Sequence, residues 1–258
     1  MISIFRELHL YRVLIQTLVV RDLKARYRGS TLGLLWTLLN PLLQMAIYAL
    51  VFSVYIRNEM QRYPAFLLCG ILPWTWFSSA LFLGTTAIIE GSSMLKKVFF
   101  PPQVLPTVIV ISTFINFLLS LPLLFGMLLL FGVTFGWSLL ALPLIMVAQF
   151  ALTLGLTLII SAVSVRYRDI PPILGHMLMF WFFLTPIIYP VSSVPERFRA
   201  LVSLNPVTPF FVAYQEALLY NRLVSWQTFG VMLCLGAAVL LIGVLVFERL
   251  RWSLVEEV

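Results

Sequence analysis

Residues 21–41 read RDLKARYRGSTLGLLWTLLNP, and this stretch decides the fold class. It carries four basic residues in eight positions, Arg21, Lys24, Arg26 and Arg28, and after them no charge until residue 57. A basic cluster abutting a long apolar run marks the edge of a membrane, and the excess of Lys and Arg marks the cytoplasmic edge. The beginning of the chain is therefore expected in the cytoplasm, with a first crossing over 32–56.

The rest of the composition agrees. Of 258 residues, 61% are hydrophobic and only 10% charged, and the mean hydropathy is +1.02. A soluble domain carries roughly a quarter of its residues as charges, so the bilayer must be the solvent here. The net charge of +7 sits in short clusters between apolar runs, which is a membrane-surface pattern and excludes a nucleic-acid partner. Cys69 and Cys234 both fall inside apolar runs, without disulfide or metal spacing. The apolar patch at 13–20 is short, lacks a small-x-small cleavage site and leads into the basic cluster, so no cleaved signal peptide is expected.

A crossing helix needs about 20 apolar residues. The uncharged runs predict six, at approximately 32–56, 64–89, 104–131, 137–164, 172–194 and 224–247, with a short turn around 132–137 dividing the longest run. The spans use most of the chain, which predicts a single transmembrane domain over 1–258. Sorting the loops places twelve of the 17 Lys and Arg residues on the side of both termini and five on the other; that bias predicts cytoplasmic termini. Residues 1–28 form an expected interfacial helix, because Ile4, Leu8, Tyr11, Ile15, Leu18 and Val19 share one stripe, with Val13 and Val20 straying to the polar side. Between spans five and six, Pro195, Pro206 and Pro209 interrupt a loop rich in Phe210, Phe211 and Leu218. Short helices dipping back into the outer leaflet are expected there, which requires protein packed around their ends.

The chemistry that is missing narrows the function. No predicted span has an acidic or basic residue in its middle, as ion-coupled carriers usually need. His176 stands alone, more in keeping with a hydrogen bond to backbone or water than with a proton relay. There is no phosphate-binding loop; the segment from Gly91 to Lys96 has the wrong spacing. No nucleophile–base grouping or zinc motif occurs. The chain reads as neither an enzyme nor a self-powered pump, and binds no cofactor of its own. Uphill transport would draw on another polypeptide.

What remains is aromatic. Counted from Tyr63, Trp74 and Trp76 lie about 16–20 Å deep, near the middle of a ~30 Å core, and Trp181, Phe182 and Phe183 hold a similar depth in span five. Trp favours the headgroup level, so these rings either pack helices around Pro73 and Pro186 or offer stacking faces to sugar rings or polyprenyl chains. Trp36 and Tyr189 lie nearer the span ends. On the inner side, 90–102 and 165–171 combine apolar residues with flanking charge, either as docking surfaces for a soluble partner or as ordinary anchors.

Taken in order, these segments resemble the permease subunit of ABC exporters that move polysaccharides such as O-antigen, capsule or teichoic acid. The similarity rests on RDLKARYRGS-x-LG-x-LW at 21–36 with Asn40-Pro41 and on GILPW-x-WFS at 70–78. Further pieces are KKV-x-FP at 96–101, Leu105-Pro106, Arg168-Asp169, TPIIY at 185–189 and Asn205-Pro206. The resemblance implies a homodimer in the cytoplasmic (inner) membrane, bound to two copies of a soluble ABC ATPase that holds ATP and Mg. Its substrate would be a lipid-linked polysaccharide. It makes Trp36, Tyr48, Trp74, Trp76, Phe77, Trp181, Phe182 and Tyr189 candidates for lining the path. Lys96, Lys97, Arg168 and Asp169 become candidate ATPase-coupling residues. Lys24, Arg26 and Arg28 would meet either the ATPase or the substrate's pyrophosphate. The rivals are an ABC permease for drugs or small lipids, a membrane enzyme acting on polyprenyl substrates, and a non-transporting assembly protein.

Overall fold

A computed structural model describes residues 2–27, 32–52, 60, 62–97 and 100–257. Arg28, Arg57 and the last residues of the expected first span lie outside them. Among the described residues every regular element is helical: α1 (Ile2–Leu10), α2 (Arg12–Tyr27), α3 (Trp36–Leu50), α4 (Tyr63–Gly84), α5 (Ala87–Glu90), α6 (Ser92–Lys97), α7 (Val104–Leu130), α8 (Leu142–Arg166), α9 (Ile170–Leu184), α10 (Glu196–Leu204), α11 (Thr208–Leu218) and α12 (Trp226–Glu257).

Four described stretches are long and apolar enough to cross a membrane: Tyr63–Gly84, Val104–Leu130, Trp137–Arg166 and Trp226–Arg251. Two shorter apolar helices, α3 and α9, have 15 residues each and rise only about 22 Å. Proline explains why α9 is shorter than the 172–194 expected. Thr185 is extended (φ −91°, ψ 137°), as the residue before a proline prefers, and Pro186 ends the helix. The expected 64–89 is likewise interrupted. The Thr85 hydroxyl donates to the Phe82 carbonyl at 2.6 Å, and the chain turns through Thr86 into α5 and α6. At the other end of the bundle, Gly132 (φ 69°) closes α7 as a left-handed cap. Its neighbour Val133 donates back to the Leu128 carbonyl at 2.9 Å.

α4 is the central helix. It is apolar all round, and 72% of its most apolar stretch is buried in the protein, against 28% for α12. α3, α7, α8, α9 and α11 pack around it. α12 lies on the outside against α8, and small residues let the two backbones touch. A Cβ on Gly243 would fall 2.3 Å from the Gly155 carbonyl oxygen, and one on Gly236 would fall 2.6 Å from that of Ala148. Ala148 and Gly155 are seven residues apart, as are Gly236 and Gly243. The repeat returns the same face every two turns, which is how close helix pairs form without a hydrophobic driving force.

α2 lays Ile15, Leu18 and Val19 against Phe100, Val104, Leu105 and Val108 at the start of α7, with Leu8 and Tyr11 packed beside them. Leu10, Val13 and Val20 are exposed on the opposite side. One stripe of this segment therefore covers protein, and a second, shorter apolar stripe is left outward. Glu7 of α1 accepts a hydrogen bond from the buried Gln103 amide and pairs with Arg251 of α12 at 3.5 Å. Both chain ends therefore meet at one end of the bundle, together with α5, α6 and the α8–α9 turn.

Candidate functional site

The sequence-predicted aromatics divide into two groups on opposite sides of α4. Residues on a helix two positions apart point about 200° away from each other, and Trp74 and Trp76 follow that rule. Trp74 sits 5.6 Å from Phe182 of α9 and 5.6 Å from Phe211 of α11. Phe182 stacks on Tyr48 of α3 at 5.6 Å. Trp74 also meets Phe77 at 5.6 Å, and Phe77 meets Trp181 edge-on at 5.6 Å. Tyr48, Phe182, Trp74, Phe77 and Trp181 thus form one continuous seam across α3, α4 and α9. Each ring contact contributes about 0.5–1.5 kcal/mol beyond area burial, enough for the run to hold these helices as one unit. Tyr48 and Trp181 are half-buried at its margins, whereas Trp74, Phe77 and Phe182 are buried.

Trp76 is not part of the seam. It packs on Phe114 (4.8 Å) and Phe117 (5.2 Å) of α7 and on Phe150 (6.4 Å) of α8. Trp36, at the start of α3, is on Trp76's side of α4, where both border a cavity. Tyr189 lies past the end of α9, its hydroxyl donating to the Phe183 carbonyl at 2.9 Å.

A polar network holds the end of α9, where the seam meets the outer helices. The Trp181 indole N–H donates to Asn205 Oδ1 at 2.8 Å. The Asn205 amide donates to Thr185 Oγ1 at 3.0 Å, and that hydroxyl donates to the Trp181 carbonyl at 2.8 Å. Gln215 of α11 donates to the Pro186 carbonyl at 2.8 Å, and the Tyr63 hydroxyl to the Ile188 carbonyl at 2.7 Å. The backbone freed by the Pro186 break thus finds donors on two other elements, α11 and α4, as it must away from water. Thr185 and Asn205 stand in the motifs quoted above but were given no role there, and Gln215 was not singled out at all. Their signal was available, since a buried Pro break demands amide donors nearby.

One side of α9 is uncovered. Only Leu174, Leu178 and Phe182 of this helix are buried, while Ile173, His176, Met177 and Phe183 are exposed and Phe180 is 67% exposed. α3 likewise leaves Leu43, Ile47 and Leu50 exposed. The two short helices adjoin through the Tyr48–Phe182 stack, so their free faces lie near each other.

The charged candidates gather at the end that holds the termini. Lys96 and Lys97 are exposed and close α6, a helix with no fully buried residue whose Met94 and Leu95 lean on the α2–α7 cluster. Arg168 and Asp169 are exposed in the α8–α9 turn, and Lys24 is exposed on α2. Arg26 is different. Its guanidinium is paired with Asp22 at 2.9 Å, and the side chain is only 24% exposed. Among the described residues no Asp, Glu, Lys or Arg is buried, and no group of acidic, His and Cys side chains could hold a metal.

An apolar helical bundle with charged ends and a neutral aromatic interior defines a multi-pass membrane protein. More specifically, the chain belongs to the ABC-2 type transporter family, to which residues 13–219 match. It is similar to the O-antigen export system permease protein RfbA of Myxococcus xanthus, 39% identical over 260 residues and covering 100% of each chain. A protein of the same name from Klebsiella pneumoniae is 30% identical over 237 residues, 92% of this chain and 91% of the relative. The polysialic acid transport protein KpsM of Escherichia coli is 23% identical over 220 residues, 81% of this chain and 82% of the relative. These are the polysaccharide exporters that the sequence motifs resemble.

Proposed function

We propose that this chain is the permease of an ATP-driven exporter that moves a lipid-linked, O-antigen-like polysaccharide across the inner membrane. The aromatic seam carries this reading, set in a chain similar over its full length to a named O-antigen export permease. A long neutral polymer must slide without sticking. Aromatic faces give weak, repeated stacking contacts, whereas a charged site would hold one segment and stall the rest.

In this proposal six helices cross the bilayer: α3, α4, α7, α8, α9 and α12. α10 and α11 re-enter from the outer side. The Trp74–Phe211 contact supports that arrangement, because Trp74 sits halfway along α4 and Phe211 belongs to α11. The uncovered faces of α3 and α9 would meet a second copy of the chain, and the path would run between the two copies. Tyr48, Trp181 and Tyr189 would face it from the margins of the seam, with Trp74, Phe77 and Phe182 behind them as a rigid backing.

The ATPase would dock on the end bearing α1, α2, α5, α6 and the α8–α9 turn. Lys96 and Lys97, exposed at the end of α6, would take its push, and Arg168 and Asp169 the neighbouring contact. α5 adjoins α4 and α7, and α6 adjoins α5, so a push on α6 would reach the seam-bearing helix through α5. Both termini would be cytoplasmic, by the positive charge gathered at that end.

Deletion of the gene in its host tests the function. Lipid-linked glycan trapped inside the cell, with surface glycan lost, is the expected result. Normal surface glycan in the deletion strain overturns the proposal, and resistance or lipid phenotypes without glycan loss would favour a drug or small-lipid permease.

A further inference from the structure

Away from the seam, α3, α4 and α7 enclose a cavity of about 300 Å³ whose walls are unlike the rest of the bundle. Asn40 comes from α3, Thr75 and Ser79 from α4, and Thr113, Asn116 and Ser120 from α7. On α4 the spacing is four residues and on α7 three and four, so each helix turns one polar stripe inward. Hydroxyls and amides facing lipid tails are costly unless they find partners. Here six of them converge on one space.

The hydrogen bonds already made say what that space offers. Thr75 Oγ1 donates to the Ile71 carbonyl at 2.8 Å, Thr113 Oγ1 to that of Ile109 at 2.8 Å, and Ser120 Oγ to that of Phe117 at 2.6 Å. Each hydroxyl has spent its proton on its own helix, and its oxygen remains an acceptor. The wall therefore suits a ligand that brings hydroxyl donors. Arg26 borders the cavity from α2, its Nε held by Asp22 at 2.9 Å and its Nη2 3.4 Å from Ser112 Oγ. A guanidinium braced in this way presents a fixed fork to an anion, and phosphate matches it best. Trp36 stands at the rim, and Trp76 forms part of the wall. Trp76 is 2% exposed, and its indole N–H finds no acceptor among the described residues.

We infer that this cavity is a headgroup site for a lipid phosphate with an adjacent polyol. The phosphate lies on Arg26, the hydroxyls on the Thr and Ser oxygens, and the apolar tail runs out along α3. The volume admits a phosphate with one glycerol or one sugar and excludes a polymer, which separates this site from the export path. Two sources share that chemistry: a glycerol-headed phospholipid of the bilayer, or the polyprenyl carrier with its first sugar. The second rests on the export proposal above; the first does not.

Native mass spectrometry of the detergent-released full chain tests the site. The probes are phosphatidylglycerol, a polyprenyl pyrophosphate bearing one hexose, and phosphatidylcholine with matched tails. One molecule of either of the first two should be retained per chain, and phosphatidylcholine should not. Arg26→Gln should lower retention about tenfold and Arg26→Lys should restore part of it, in line with loss of one charge-assisted contact. Ser79→Leu should abolish retention by filling the cavity; should that variant misfold, the Arg26 pair decides alone. Retention of phosphatidylglycerol only identifies a bilayer lipid, and retention of the polyprenyl probe only identifies the carrier. Equal retention of all three probes, or retention untouched by Arg26→Gln, overturns the inference. A chain that fails to export glycan yet retains phosphatidylglycerol upholds the site and sinks only the export proposal.

Discussion

Glu7 and Arg251 lie 244 positions apart in the chain and 3.5 Å apart in the fold. Their contact joins the first helix to the last, and Gln103 at the start of α7 adds a third strand to the knot through the other Glu7 oxygen. The relationship has a topological consequence. Two ends that touch lie on one side of the bilayer, so the chain crosses an even number of times. The four long apolar helices and the two short ones satisfy that parity only if both short helices cross or neither does.

Cysteines placed at these two positions should therefore crosslink. With Cys69→Ala and Cys234→Ser as background, the pair Glu7→Cys and Arg251→Cys should be bridged within one chain by a short bis-maleimide, since replacing two long side chains that meet at their tips leaves the thiols beyond direct disulfide reach. In intact cells both thiols should resist a membrane-impermeant reagent, and both should react in inverted vesicles. Labelling of one thiol in intact cells and the other only in vesicles would contradict the parity.

The α8–α12 contact predicts a sharp contrast between glycines. Gly243→Leu inserts a side chain where a Cβ already falls 2.3 Å from the Gly155 carbonyl oxygen, and a backbone atom cannot step aside as a side chain can. Forced overpacking costs about 1–3 kcal/mol or more, seen as a lower melting temperature in detergent. Gly230→Leu, thirteen residues earlier on the same helix where a Cβ meets nothing within 4 Å, should melt like the parent. Equal effects at both positions would refute close packing as the cause.

The network at the end of α9 predicts coupling. Asn205→Leu removes the acceptor of the Trp181 N–H and the donor to Thr185, and stranding such groups costs about 1–3 kcal/mol. Trp181→Phe removes one of the stranded groups in advance. The double variant should lose less stability than the two single losses added together, as read from unfolding in detergent. Strict additivity would mean that Asn205 and Trp181 do not depend on one another.

How far the sequence revealed this architecture follows from the range of each signal. The long helices were legible because bilayer thickness sets a length that composition alone must meet, and the stripe Ile15, Leu18, Val19 because helical period is local. Gly132 marked its turn for the same reason. What stayed hidden depends on facing partners. The run at 64–89 holds no proline near Thr85, so nothing local announces the turn made there by the Thr85–Phe82 hydrogen bond. Trp74 and Trp76 look alike in sequence, yet one belongs to the seam and the other to the α7–α8 side, because two residues' separation turns them to opposite faces. The cavity stripes at 75/79 and 113/116/120 have helical spacing and could have been found by counting. Their convergence on one space could not, since it needs the packing of α4 against α7.

The exposed end of α6 gives the most direct test of the coupling role proposed for Lys96 and Lys97. Lys96 and Lys97 are exposed, and α6 has no fully buried residue, so their charge can be reversed without touching the core. Lys96→Glu with Lys97→Glu should leave the melting temperature within about 1 °C of the parent, since surface changes away from packed features stay within ~0.5 kcal/mol. Copurification with the cognate ATPase should fall at least severalfold, and more steeply at low salt, where charge contacts across a rim matter most. Exported glycan should fall in proportion. ATPase recovery equal to the parent at both low and high salt would remove α6 from the dock and leave Arg168 and Asp169 as the remaining contact to test.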